Sequence, residues 1–572
     1  MWESGDWRAP RAAWTWLVGM SLFAVCAAGE SSVLQAMKEE LNRSMEVLGE
    51  QPVPPYFLSY EITETKGISA GAQFGGLVFS NESRQRMLDI DLRVGDYGLD
   101  NTRPLRGQSS FSFFGNQMVV APVEDDIDAI RALLWTSTDK RYKRALEELT
   151  TVQTDVQVTV EAEDKAGDFS REEPSKGVEP ERPIEVDIAD WEEKVQRYTA
   201  PFARYGDFYE ARASFSANVE TRWFVNSDGS EIQTSETLYR LFISASTKAE
   251  DGMVLPLYKS YIALTPESLP DDETVSRDVA SMVETLLALR EAPLVEPYTG
   301  PAILTGEASG VFFHEILGHR VEGHRQKLED EGQTFKKLLN ERVLPANFSV
   351  HFDPTMTRHA GTDLVGTYRF DNQGIPARRV TVIDKGILKR FLLSRRPIDG
   401  FPNSNGHGRK QAGYQPVARQ SNLIVEVTDP LTSDELKDRL LAAIEAEGKP
   451  FGLRFEAIQG GFTMTGRFIP NSFNVTPLIV YRIHPDGREE LVRGVDLIGT
   501  PLTTFSRVTA GDDQIAVFNG TCGAESGGVP VSAASPSILV SQIEVQKKGK
   551  SQDRPPLLPA PVGDDRLGLW IY

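Results

Sequence analysis

The sequence predicts an α+β fold, a mixed N-terminal α/β domain followed by a strand-rich C-terminal domain, and three observations carry that prediction. The 572 residues are 40% hydrophobic and 25% charged, ordinary for a globular chain and enough for two to four domains of ~100–200 residues. Helical and strand periodicities mix in the first half. After Ala292 the texture changes to short alternating stretches and glycine-rich turns, and all seven histidines lie beyond that point.

The elements follow in order. Leu34, Met37, Leu41 and Met45 share one face of a helix over 31–49, which Gln51-Pro52-Val53-Pro54-Pro55 breaks. Residues 56–65 read as a strand, and Leu88, Ile90, Leu92 and Val94 alternate with polar residues as a half-buried strand does. Residues 124–150 are charged and helical in spacing. Residues 161–187, rich in Glu, Pro, Asp and Lys with no apolar period, read as an exposed linker or long loop. Trp191, Val195 and Tyr198 mark a helix. Residues 208–264 alternate through several strands, with a hairpin signal at Asn226-Ser227-Asp228-Gly229. Val275, Val279, Val283, Leu286 and Leu289 mark an amphipathic helix before a boundary near Ala292. Beyond it, 379–384 and 388–393 read as strands. Residues 433–447 read as a helix, with Thr432 and Glu435 at capping-box spacing and Gly448 closing it. The predicted domains are 29–292 and 293–548, with an extended Pro-rich tail over 549–572.

At the N-terminus Arg8 and Arg11 precede an apolar run over 12–25, and Cys26-Ala27-Ala28-Gly29 follows. A basic flank, a short apolar core and a small-residue exit read as a secretory signal peptide, residues 1–28, cleaved near Ala28. The expectation is an exported protein, periplasmic or secreted; a retained N-terminal anchor is the alternative, although the run is short for a span of ~20 residues. No other stretch is long and apolar enough to span a bilayer. Lys and Arg number 61 against 82 Asp and Glu, a formal charge of −21, which argues against a nucleic-acid surface and against docking on anionic lipid. The two cysteines, Cys26 and Cys522, exclude a disulfide framework, and Cys522 alone remains once the signal is removed.

Three of the seven histidines, His314, His319 and His324, fall within one short stretch of sequence that reads His314-Glu315-Ile316-Leu317-Gly318-His319 at its start. The zinc-protease pattern His-Glu-x-x-His places both imidazoles on one helical face. Here the second histidine is five residues on, about 140° around a regular helix and too far to share an ion. A wide turn of the π-bulge type near Gly318 would bring the two together. A catalytic zinc site takes three protein donors and keeps one position for water, and Glu315 is placed to accept that water's proton. The competing reading is an amphipathic helix with polar surface histidines. Cys522 has three readings: metal ligand, inert buried thiol, or nucleophile of a Cys–His pair.

The stretch 314–323 resembles the signature of the TldD/PmbA family of metallopeptidases, in its active TldD-like branch. Ordered blocks agree with it: Phe370-Asp371-Asn372-Gln373-Gly374-Ile375-Pro376, Asp384-Lys385-Gly386, Ser404-Asn405-Gly406-His407-Gly408-Arg409, Gln459-Gly460-Gly461, Arg493-Gly494, and Asn519-Gly520-Thr521-Cys522-Gly523. The resemblance covers roughly 30–548 and is strongest after residue 300. It implies that His314, His319 and Cys522 hold zinc, that Glu315 is the catalytic residue, and that the C-terminal domain carries the metal-binding helix. It further implies hydrolysis of short or unfolded peptides by metal-activated water, in a homodimer or a heterodimer with a related subunit around a shared cavity. Where the family commonly has Asp, this sequence has His324, expected near the ligands or at the surface. Glu322 is expected to orient a ligand histidine, and His407 to lie in a loop beside the site. The alternatives are a non-catalytic peptide-binding partner subunit of a TldD/PmbA-type complex and a structural metal-binding protein.

Overall fold

Two long hairpins build the first sheet of the computed structural model, which describes residues 31–105, 118–158, 164–328, 330–467, 472–549 and 558. The expected signal peptide, and the Pro-rich tail apart from 549 and 558, lie outside the described residues. β1 (Pro55–Gln73) and β2 (Gly76–Val94) run antiparallel over their length. Phe74 and Gly75 join them with φ of 48° and 86°, the paired positive dihedrals of a type I′ turn, whose twist matches that of the strands. β5 (Phe208–Asn226) and β6 (Glu231–Lys248) form the second hairpin and turn where the sequence predicts. There the Gly229 N–H donates to Asn226 O at 3.0 Å and the Ser230 N–H to Asn226 Oδ1 at 2.8 Å. β1 pairs β5; β3 (Val119–Ala121) extends β2; β6 also takes β4 (Lys176–Val178) in parallel and β7 (Val254–Ala263) antiparallel.

Helices cover this sheet through the apolar faces read from the sequence. α1 (Ser32–Gly49) and α2 (Ile127–Val158) bury Leu34, Met37, Leu41 and Leu134 with Leu58, Tyr60, Leu88, Leu92 and Trp223. α3 (Ile188–Thr199) and α4 (Asp272–Glu291) close a second core, where Trp191 stacks on Phe215 with ring centroids 3.7 Å apart. All five marker residues of α4 are buried, and the Asp271 side chain caps it by accepting from the Thr274 N–H. Burying each such aliphatic side chain contributes about 1.5–3 kcal/mol.

The described part of 161–187, expected as an exposed linker or long loop, is largely irregular and half exposed, but it is tied down at several points. Asp168, Phe169 and Ser170 are buried. Lys327 Nζ donates to Ala166 O at 2.9 Å and Gly167 O at 2.6 Å, Arg395 donates to Ser170 O at 2.7 Å, and 176–178 join the sheet as β4. The segment packs against the C-terminal half, so its polar groups are satisfied by distant partners that no local period reveals.

The second sheet arises from β8 (Tyr298–Leu304), β9 (Phe348–Phe352), β12 (Val380–Asp384), β13 (Ile387–Leu388), β16 (Asn422–Val427), β17 (Gly452–Thr463), β18 (Phe473–Ile483), β19 (Glu489–Val492), β20 (Val495–Gly499), β21 (Val508–Ala524) and β22 (Gly527–Lys547). Two small pairs stand apart: β10 (Arg358–His359) with β11 (Thr362–Asp363), and β14 (Gly408–Arg409) with β15 (Val417–Ala418). The order is β13-β12-β9-β16-β22-β20-β18-β17-β8, and β8 also pairs β22, so β8, β17, β18, β20 and β22 close into a ring. α5 (Gly306–Ile316) leaves β8 and packs on β22 and β17, burying Val311, Phe312, Phe313 and Ile316. Gly310 permits this approach: a Cβ there would lie 2.8 Å from Ala533 O. α6 (Ser433–Ala446) carries the predicted capping box. Among the described residues no helix is long and apolar enough to cross a membrane.

Candidate metal centre

α5 buries its apolar face and leaves Glu307, Val311, His314 and Glu315, spaced four, three and one apart, along the wall of a cavity of about 980 Å³. The helix then ends. Leu317 has φ −100° and ψ −53°, and a 3₁₀ turn spans Gly318–Val321. The expected π-bulge is therefore replaced by a stop and a tight turn, in which the Arg320 N–H donates to Leu317 O at 2.9 Å. Two contacts fix this course. Gln420 presses on Gly318, where a Cβ would lie 1.9 Å from Gln420 Oε1, and its Nε2 donates to His314 O at 3.3 Å. Leu392 brackets the turn, donating to Val321 O at 2.8 Å and accepting from the Gly323 N–H at 2.7 Å. Residues 389–393, expected to continue a strand, supply this brace instead.

The break brings the imidazoles of His314 and His319 to a centroid distance of 5.0 Å, at 83° to each other. β21 delivers Cys522 to the same point, and donor atoms of His314, His319 and Cys522 all lie within 4.8 Å of one another. His319 Nε2 is 3.4 Å from Cys522 Sγ. Zinc–nitrogen and zinc–sulfur bonds of ≈ 2.0–2.3 Å place tetrahedral donors about 3.3–3.8 Å apart. The His319–Cys522 separation already falls in that range, so the set fits a zinc ion after a small adjustment of His314. Two imidazoles and a thiolate are also the right donor chemistry.

Burial works against charge here, and neighbouring charges outweigh it. Cys522 is held well below the usual thiol range by His319, Arg419 and His314. His319 is raised well above the usual imidazole range by Cys522 and Glu322. Glu322 is held down to about 2 by His319 and Arg325. Glu322 Oε2 lies 3.4 Å from His319 Nδ1 and accepts from Arg325 Nε at 2.9 Å. This carboxylate thus fixes which imidazole nitrogen faces Cys522.

Glu315 is buried beside the donors, and its Oε2 has no hydrogen-bond partner among the described residues. Gly461 on β17 makes room for it, since a Cβ there would lie 2.6 Å from Glu315 Cγ. The cavity lies between the two sheets, with Phe242, Tyr258 and Ile262 from the first and Gln459, Gly461 and Asn519 from the second among its walls. Tyr258 ties them together, its hydroxyl donating to Ile458 O at 2.9 Å.

Two histidines lie elsewhere. His324 is buried, with its Nε2 against Glu525 Oε1, and is not among the converging donors. His407 is fully buried, its Nε2 3.1 Å from Ser421 Oγ, and does not line the cavity. Sequence reasoning missed the arginines that surround the site. Arg325 donates to Glu331 Oε1 and Glu525 Oε2, both at 2.7 Å. Arg419 donates to Cys522 O at 2.6 Å. Arg320 donates to Glu315 O at 2.8 Å and Thr463 Oγ1 at 2.7 Å. The three-residue spacing of Glu322 and Arg325 was the one local signal; the other partners come from distant chain.

Residues 297–547 match the family described as the PmbA/TldA metallopeptidase C-terminal domain. A protein named metalloprotease from Methanothermobacter thermautotrophicus is 27% identical over 322 residues, covering 55% of this chain and 65% of that protein. A protein named zinc metalloprotease TldD homolog from Saccharolobus solfataricus is 24% identical over 248 residues, 43% of this chain and 51% of that one. The chain therefore spans about half to two thirds of the length of these curated relatives. The crystal structure of TldE from Thermococcus kodakarensis superposes with a TM-score of 0.58 over 89% of this chain and 100% of that one, at 14% identity. At that identity the likeness speaks for the α+β fold alone.

Proposed function

The chain belongs to the TldD/PmbA metallopeptidase family, and from that premise we propose that it is an exported zinc peptidase of the His-Glu-x-x-x-His type acting on short or unfolded peptides. One observation carries the proposal: the donors of His314, His319 and Cys522 converge within 4.8 Å of one another, and the next residue, Glu315, has a buried Oε2 with no hydrogen-bond partner among the described residues. A zinc ion held by these three side chains supplies a Lewis acid that polarises a peptide carbonyl and makes a water easier to deprotonate. Glu315 accepts the water's proton on the oxygen that has no other partner and returns it to the departing amine. Glu322, facing His319 Nδ1, turns Nε2 towards the site, where a bound zinc would take the place of its proton, and Arg419 holds the Cys522 backbone in place. A cavity of about 980 Å³ between the two sheets gives an extended chain room to lie along α5. The partner-subunit and structural readings leave the Glu315 carboxylate without a task.

The test is metal analysis and peptide hydrolysis by the purified mature chain, with and without chelator. One zinc per chain and chelator-sensitive cleavage support the proposal; a metal-free chain, or cleavage indifferent to chelator, overturns it. Export rests on Arg8, Arg11 and the apolar run after them. N-terminal sequencing of the exported protein should start near Gly29, and a chain still starting at Met1 would favour an anchor.

A further inference from the structure

The cavity contains a cation that the hydrolytic chemistry does not use. Arg240 on β6 lines it, and its Nε is buried with no hydrogen-bond partner. Among the described residues Arg240 makes no ion pair; its guanidinium carbon sits 5.0 Å from the centre of the Phe242 ring. Phe242 in turn stacks on Tyr258 at 5.5 Å. A guanidinium carries five donors in a planar fork that matches a carboxylate, and buried donors left unmatched are rare in folded proteins. The nearby charges do not satisfy it: Glu307 has Lys259 as its electrostatic partner.

Arg240 lines the same cavity as the metal donor His314. Tyr258 lies within electrostatic reach of both Arg240 and Glu307. Glu307 stands at the first turn of α5, seven residues before His314 and on the same cavity-lining face. Seven helical residues rise about 10 Å, the reach of about three residues of extended peptide.

We propose that Arg240 anchors a carboxylate of the peptide substrate, at a distance from the cut bond that the position of the preferred carboxylate reads out. The carboxylate is either the C-terminus of a short peptide or an acidic side chain. Arg240 is a specificity residue in this account and touches no reacting atom. The proposal rests on the peptidase reading above.

The experiment uses the zinc-loaded full chain and three sets of quenched fluorescent peptides of otherwise equal sequence: acid-free with a free C-terminal carboxylate, acid-free with an amidated C-terminus, and amidated with one Glu scanned through each position. Wild type should prefer the first or the third set, and which one identifies the source of the carboxylate. Arg240→Gln should lower kcat/KM for that set by about 10- to 100-fold, mostly through KM, lower it far less for the acid-free amidated set, so that the preference between the sets collapses, and unfold at the wild-type temperature. Arg240→Lys should recover part of the preference. Equal cleavage of all three sets by wild type, or a preference that survives Arg240→Gln, overturns the proposal while leaving the peptidase reading intact. Absence of chelator-sensitive cleavage in every set overturns the peptidase reading, and this one with it.

Discussion

Cys522 Sγ lies 3.4 Å from His319 Nε2 although 203 residues separate them. Each side is held by its own scaffold. Cys522 sits on the β21–β22 hairpin opposite Val529, with its carbonyl bonded by Arg419. His319 sits on a 3₁₀ turn braced by Leu392 and oriented by Glu322. The two scaffolds thus bring the donors together, which is the arrangement a preformed metal site needs.

Cys522→Ala and His319→Ala should each lose zinc and activity together. Removing a donor should weaken binding by more than the about 10- to 100-fold typical of losing an outer partner. Metal analysis after gel filtration checks this, and a full complement of zinc in His319→Ala would refute the ligand set.

Glu322→Gln should separate affinity from catalysis. The amide no longer orders the His319 ring as an anion does, so zinc affinity should fall about 10- to 100-fold in a chelator competition. It also leaves Arg325 and Arg419 facing a neutral group in the interior. Removing one partner of a buried ionic network costs about 3–5 kcal/mol, so the variant should unfold at clearly lower urea than wild type.

His407 should make stability depend on acid. Burial holds its imidazole down to about 3, and the neutral ring accepts from Ser421 Oγ while Nδ1–H donates to Asn405 O. In the unfolded chain it titrates near 6.5. Between those values only the unfolded chain takes up the proton. The stability His407 contributes is therefore complete above about pH 6.5 and is lost as pH falls towards 3, by at most about 1.4 kcal/mol per pH unit. Urea unfolding across that range should show a shallower pH slope for His407→Gln; an identical slope would contradict the assignment.

How much was legible in the sequence follows the range of the forces involved. Val275, Val279, Val283, Leu286 and Leu289 announced α4 because apolar spacing acts within one helix. Asn226–Gly229 announced its hairpin because turn dihedrals are local. The two histidines and Glu315 were readable as a motif. Their geometry was not: Gln420 and Leu392, both far along the chain, decide that α5 stops and tightens instead of bulging. The ties of 164–187, and the arginines around Glu322 and Glu525, likewise depend on partners that only the assembled fold supplies.

The central claim, that Glu315 moves the proton for a site held by His314, His319 and Cys522, is tested most directly by Glu315→Gln with zinc content and peptide hydrolysis measured on the same sample. Glutamine nearly keeps the shape beside Gly461 but cannot take up a proton at neutral pH. The account predicts wild-type zinc content with a rate lower by about 10²–10⁴-fold, the usual consequence of losing a general base. Full peptidase activity in zinc-loaded Glu315→Gln would contradict it.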